Sequence, residues 1–103
     1  MRDKILRAYG QRAHVLKALA HPGRLMMIEA MNESGEICVF DLVEMVGSDQ
    51  STVSKHLGML KHVGLVTARK EGQHAFYSLN CRSVMDVFDC VERVLDEMSE
   101  TDG

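Results

Sequence analysis

The stretch from Asp49 to Gly64 limits the fold more than any other part of the chain. Its apolar residues Val53, Leu57, Leu60 and Gly64 recur at i, i+4, i+7 and i+11, which sets them on one stripe of a helix facing a core. Ser48 or Asp49 is placed to cap the first turn, and the carboxylate of Asp49 suits the positive end of the helix dipole. The opposite side is not the usual mixture of Glu and Lys. Gln50, Ser51, Thr52 and Ser54 bring short amide and hydroxyl groups to the first turns, and Lys55, His56, Met59 and His62 follow. Such donors followed by cations are suited to reading base edges and gripping phosphates in a major groove. An ordinary amphipathic surface helix is the alternative, and the flanking segments decide between them.

On the N-terminal side, Leu6, Tyr9, Ala13 and Leu16 predict a first helix over residues 3–19, weakened in the middle by Gly10. Pro22 fits the N1 position of a second helix with His21 as its N-cap. That helix runs through Leu25, Ile28 and Met31 and stops near Gly35. Glu36-Ile37-Cys38 reads as short and extended. Val39, Leu42, Val43 and Val46 then give a two-turn helix, and Gly47-Ser48-Asp49 breaks it before the helix described above. A short helix, a glycine turn and a helix with a polar outer face make a helix-turn-helix over about residues 39–64.

On the C-terminal side the periodicity changes from about 3.6 to 2. Residues 65–70 and 74–79 are strand-like runs around Glu71-Gly72-Gln73, a β-hairpin wing over about 65–79. Arg69, Lys70 and His74 near its tip are placed to hold the adjacent DNA backbone; a solvated, charge-defended sheet edge is the plainer alternative. From about 83 to 98, Val84, Val87, Phe88, Val91, Val94, Leu95 and Met98 form a heptad-like seam that needs a partner surface. A second copy of the chain is the economical partner, because symmetric half-sites on duplex DNA require a two-fold dimer. The expected architecture is mainly α with a small β-hairpin, a winged helix-turn-helix of order α-α-α-α-β-β-α. It forms one domain over 1–103 that dimerises through its terminal helices.

Charge supports this layout once it is divided along the chain, although the total is −3. Residues 48–80 carry four basic and two acidic side chains, whereas residues 81–103 carry two basic and seven acidic ones. Positive charge therefore sits on the candidate reading helix and wing, and the acid lies beyond them. No apolar run approaches the length of a membrane span, and the opening residues lead into a charged amphipathic segment rather than a signal peptide, so a cytoplasmic location is expected. Three cysteines at irregular spacing read as free thiols. No phosphate loop, carboxylate pair or Ser/His/Asp set appears, so an enzyme is not expected.

The motifs Ala18-Leu-Ala-His-Pro-Gly-Arg-Leu25, Glu36-Ile-Cys-Val-Phe-Asp-Leu42, Ser51-Thr-Val-Ser-Lys-His-Leu57 and Leu60-Lys-His-Val-Gly-Leu-Val66, with a wing running from Gly72 to Tyr77-Ser-Leu79, resemble the ArsR/SmtB family of bacterial winged-helix repressors over about residues 13–95. The resemblance implies a homodimer bound to double-stranded operator DNA and released by an inducer, often a metal or metalloid ion. The family's arsenic and cadmium sensors carry Cys-Val-Cys before the reading helix, but here Cys38 is followed at the second place by Phe40. The family's zinc-type pair on the final helix is also missing, since Phe88 stands where a histidine is needed after Asp86. Cys38, Cys81 and Cys90 remain. Converging, within one subunit or between two, they would suit trivalent arsenic or antimony or a soft divalent ion such as cadmium. A redox or persulfide switch on the same thiols, or inert buried cysteines, are the competing readings.

Overall fold

Each turn between helices carries a local reason for its position. In the computed structural model, which describes residues 1–102 and side chains through Ser99, the chain opens with α1 over Arg2–Leu19 and α2 over Pro22–Ser34. His21 begins α2 as expected: its Nδ1 accepts the Gly23 N–H at 3.0 Å, and Pro22 occupies the first turn. Gly35, at φ +82°, ends the helix in a conformation open to glycine. β1 (Glu36–Cys38) leads directly into α3 (Val39–Val46), with Cys38 as the N-cap residue of α3. Left-handed Gly47 closes α3, and α4 follows over Gln50–His62. β2 (Val66–Glu71), β3 (His74–Leu79) and α5 (Val84–Asp102) complete the chain.

The expected two-stranded wing is in fact the outer part of a three-stranded antiparallel sheet of order β1-β3-β2. The extended Glu36–Cys38 segment pairs along β3, with Ile37 opposite Tyr77 and Cys38 opposite Phe76. The order α-α-α-α-β-β-α therefore lacks one strand. β1 is too short to show a period of its own, and only its pairing with residues about forty positions later gives it a ladder. Across the hairpin, Arg69 stands opposite Phe76 and Glu71 opposite His74.

The core is where the reading-helix stripe meets α2 and α3. Met27, Ile28, Met31, Leu42, Val53, Leu57 and Leu60 are all essentially excluded from solvent. Gly64 does not extend the stripe. It lies past the end of α4 at φ +84°, exposed, where it turns the chain into β2. α1 contributes only Ala18 and Leu19 to the buried core. Its expected apolar residues Leu6, Tyr9 and Leu16 remain more than half exposed, as do Leu95 and Met98 of α5. Val84 and Phe88 anchor the start of α5 on the core, and beyond them Val91, Val94, Leu95 and Met98 are half or more exposed. No helix among the described residues is long and apolar enough to cross a membrane.

Candidate nucleic-acid interface

α4 owes its polar face to the way its ends are held. Asp49 caps the first turn by accepting the Thr52 N–H at 2.7 Å. That backbone hydrogen bond, and then the Thr52 side chain, hold the carboxyl below its ordinary range. Val53, Leu57 and Leu60 pin the helix to the core from the other side. Gln50, Ser51, Ser54 and Lys55 are consequently exposed in a row, with Thr52 half-buried beside them. Five of the six α4 positions expected to face a groove thus share an open or partly open surface. Polar groups on a rigid helix backed by packed core are pre-organised for direct readout.

His56, the sixth, is turned elsewhere. Its ring lies 4.3 Å, centroid to centroid, from that of His21 at the start of α2. Its Nδ1 is buried with no hydrogen-bond partner among the described residues. Burial, and then the charges of His21 and Arg24, push the imidazole below its ordinary value. His56 therefore braces α4 against α2 rather than standing free on the outer face. Arg24 shares this junction: it is only 8% exposed, and its Nη1 reaches Met59 Sδ at 2.9 Å. Its Nε has no partner among the described residues. Sequence spacing assigned no role to Arg24, because only the docking of α2 against α4 brings it under Met59.

The wing is also organised differently from the expectation. Arg69 does not project freely. Its Nη2 and Nε meet the two carboxylate oxygens of Glu36 at 2.8 and 3.1 Å, and its Nη1 meets Glu71 at 2.7 Å. The guanidinium also lies over the Phe76 ring, 4.8 Å from its centroid. Hydrogen bonds to Glu36 and then Glu71 raise the Arg69 pKa further, and the same arginine holds Glu36 below its ordinary value. Two carboxylates thus neutralise a cation expected to grip phosphate. His74 sits between Phe40 and Phe76, at 5.7 and 6.5 Å between ring centroids. Lys70 is exposed, with neither an ion pair nor a ring contact among the described residues.

The cysteines remain apart. Cys38 is half-buried at the junction of β1 and α3, while Cys81 and Cys90 are exposed before and along α5. Among the described residues no three His, Cys, Asp or Glu side chains come together as a metal site. Convergence of Cys38, Cys81 and Cys90 on one ion is therefore not achieved inside one subunit. The reason is topological: β1 and α3 belong to the core of the reading module, whereas Cys90 lies beyond the anchored start of α5, beside Asp86, Asp89 and Arg93.

Comparison with known proteins bears on both fold and family. The model of the arsR family of bacterial regulatory proteins matches residues 21–68, the segment from the α2 cap to β2. An HTH-type transcriptional regulator of Methanocaldococcus jannaschii is 35% identical over 86 residues, covering 84% of this chain and 97% of that protein. The arsenical resistance operon repressor of Staphylococcus xylosus is 33% identical over 95 residues, covering 92% of this chain and 86% of the repressor. Among solved structures, the homodimeric winged helix-turn-helix DNA-binding domain Mb0332 of Mycobacterium bovis superposes with a TM-score of 0.80. It is 33% identical, and the match covers 96% of this chain and 91% of that one.

Proposed function

This chain belongs to the arsR family of bacterial regulatory proteins, winged helix-turn-helix transcriptional repressors rather than enzymes, and from that premise we propose how its own residues do the work. Two subunits pair through α1 and α5 and present two α4 helices to successive major grooves of an operator. Gln50, Ser51, Thr52 and Ser54 read base edges there while Lys55 and Lys70 hold phosphates. The observation that carries this reading is the division of α4. Val53, Leu57 and Leu60 are wholly buried, and on the other side Gln50, Ser51, Ser54 and Lys55 are exposed with no side-chain hydrogen bond or ion pair among the described residues. The pairing is supported by the uncovered apolar residues on α1 and α5, which line a common cleft through Leu16, Val87 and Val91. Arg69, His56 and His74 act as braces of the wing and helix, not as contacts of first importance.

Selection of bound duplexes from a random pool tests the reading, followed by binding to the winning site across a salt series. A two-fold symmetric consensus with affinity falling steeply in salt is expected. Duplex binding that ignores sequence, or no binding at all, would leave a protein-interaction module instead.

The inducer we assign is a soft metal or metalloid ion held by thiolates from both subunits, with Cys38 and Cys90 as the main ligands and Cys81 as an accessory one. Support comes from the softness of three free thiols and from kinship with an arsenical resistance repressor. Binding would favour a dimer geometry that spaces the α4 helices poorly, and the ligand's preference for that geometry equals the loss in operator affinity. Arsenite and cadmium under reducing conditions should release operator from the wild type but not from Cys38→Ser or Cys90→Ser. Release by peroxide or polysulfide alone would replace the ion with a thiol switch on the same residues.

A further inference from the structure

We propose a second effector site, for a small organic acid with an apolar body, in the cleft between α1 and the reading helix. The cleft measures about 610 Å³, within the range of small-molecule sites. Its charged and polar lining is of one kind: Lys17 and His14 from α1, Lys55 and His62 from α4, with no acidic side chain among the lining residues. The rings of His14 and His62 meet edge to face, 6.0 Å between centroids, bridging the two helices beside the cleft. Ala18, Met59 and Val63 supply an apolar wall. An apolar pocket edged by two ammonium groups and two imidazoles, with no carboxylate, is complementary to a carboxylate or sulfonate carried on a hydrocarbon frame. A bare phosphate would leave the apolar wall wet.

Gly58 shows how the same cleft is kept open. A glycine inside a helix costs about 1 kcal/mol relative to alanine, and it is usually kept for an unusual φ or a close approach. Gly58 has neither: it is not among the positive-φ glycines, and a Cβ built on it would meet nothing within 4 Å. What the missing side chain does leave is open space in this cleft, which Gly58 lines. The site also lies clear of the pairing surface. By helical spacing, His14 and Ala18 fall roughly opposite Tyr9 and Leu16 on α1, so a dimer built on the latter leaves the cleft reachable.

Occupancy would set an anion against Lys55 and join α1 to α4, so ligand and operator compete for the same cation. That consequence rests on the role given to Lys55 above; binding of the acid to the free protein does not.

The test is calorimetric titration of the purified dimer, without DNA, using 1-naphthoate and its uncharged amide. Saturable binding of the acid at one site per subunit is expected, weaker for the amide by about tenfold or more, the scale of a hydrogen bond to a charged group. Gly58→Leu, which fills the cleft, and Lys17→Glu, which reverses a charge on the other helix, should each abolish binding. Gly58→Ala should retain most of it. Circular dichroism identifies any variant that fails to fold, and the two variants lie on different helices, so one failure leaves the other decisive. Equal affinity for acid and amide would overturn the proposal, as would binding that survives both variants, which would send the probe to the α1/α5 seam. Absence of any binding would overturn it too. Operator anisotropy with and without 1-naphthoate then tests the competition separately. A protein that binds the acid yet keeps its operator would retain the site and lose the role given to Lys55.

Discussion

Replacing Leu95 by glutamate separates folding of the subunit from formation of the dimer. Leu95 is 59% exposed in the single chain, so the substitution forfeits less than half of a leucine's burial there, about 1 kcal/mol, and leaves the new carboxylate in water. The subunit should fold. In a dimer closed by α1 and α5, the remaining exposed half is covered, and its loss is again about 1 kcal/mol per copy. A two-fold interface repeats every change, so about 2 kcal/mol of apolar burial goes at once. Drawing two like carboxylates out of water into an apolar seam adds at least about 2–3 kcal/mol. The total of about 4–5 kcal/mol weakens the dimer about a thousandfold. Sedimentation equilibrium measures the dissociation constant, circular dichroism checks the fold, and anisotropy with a palindromic operator reads the consequence. A folded monomer with greatly weakened operator binding is expected. A variant that stays dimeric with the wild-type constant would refute the assignment of the α5 seam to the partner subunit, and with it the proposed spacing of the two α4 helices.

Four further outcomes follow from single side chains. Lys55→Ala should weaken binding to all duplexes alike and lower the slope of log K against log salt by about 1 per subunit, whereas Gln50→Ala should change the preferred sequence more than the slope. Leu57→Ala removes a fully buried side chain from the centre of the core and should cost about 3–4 kcal/mol, read by urea denaturation at one fixed protein concentration. His56 is held below its ordinary value of 6.5 in the folded chain, so the unfolded state takes up protons first as pH falls. Its contribution is complete above that value and is lost as pH drops through the lowered one. The melting temperature of wild type should therefore fall more between about pH 7.5 and about pH 5.5 than that of His56→Gln; parallel curves would mean that the imidazole is not desolvated.

What was legible in the sequence is what the chain decides locally. The 3.6-residue stripe of α4, the capping chemistry of His21 and Asp49 and the glycine breaks after α2 and α3 each depend on neighbours within one or two turns, and each appears where expected. Gly64 misled because a glycine at a stripe position is indistinguishable by spacing from one that ends the helix; its φ of +84° makes the distinction. The sequence shows β1 as short and extended without showing its partner, since Phe76 to Ser78 lie far along the chain. The apolar face of α1 shows in the sequence as a helical period, and the sequence does not say which surface covers it. Periodicity tells that a stripe must be covered, and not whether the cover belongs to the same chain.

The exposed polar face of α4 was legible in the sequence and the ion pairing of the wing was not, and the difference is electrostatic. A short polar side chain on a helix backed by core has few competitors for its hydrogen bonds, so Gln50, Ser51 and Ser54 remain available once the buried stripe is known. A long cation at a sheet edge is surrounded by whatever the register brings. Antiparallel pairing of β1 and β2 with β3 puts Glu36 and Glu71 within reach of Arg69, and the planar guanidinium takes both. Lys70, one residue on and so on the opposite face of the strand, escapes them. The single-residue alternation of a strand thus divides two adjacent cations into a clamp that holds the wing to β1 and a free charge that can meet a phosphate. That division leaves the exposed cations of α4 and the wing mainly lysines, with the acidic α5 beyond them, so under the proposed function operator affinity comes from base readout by paired subunits more than from net charge.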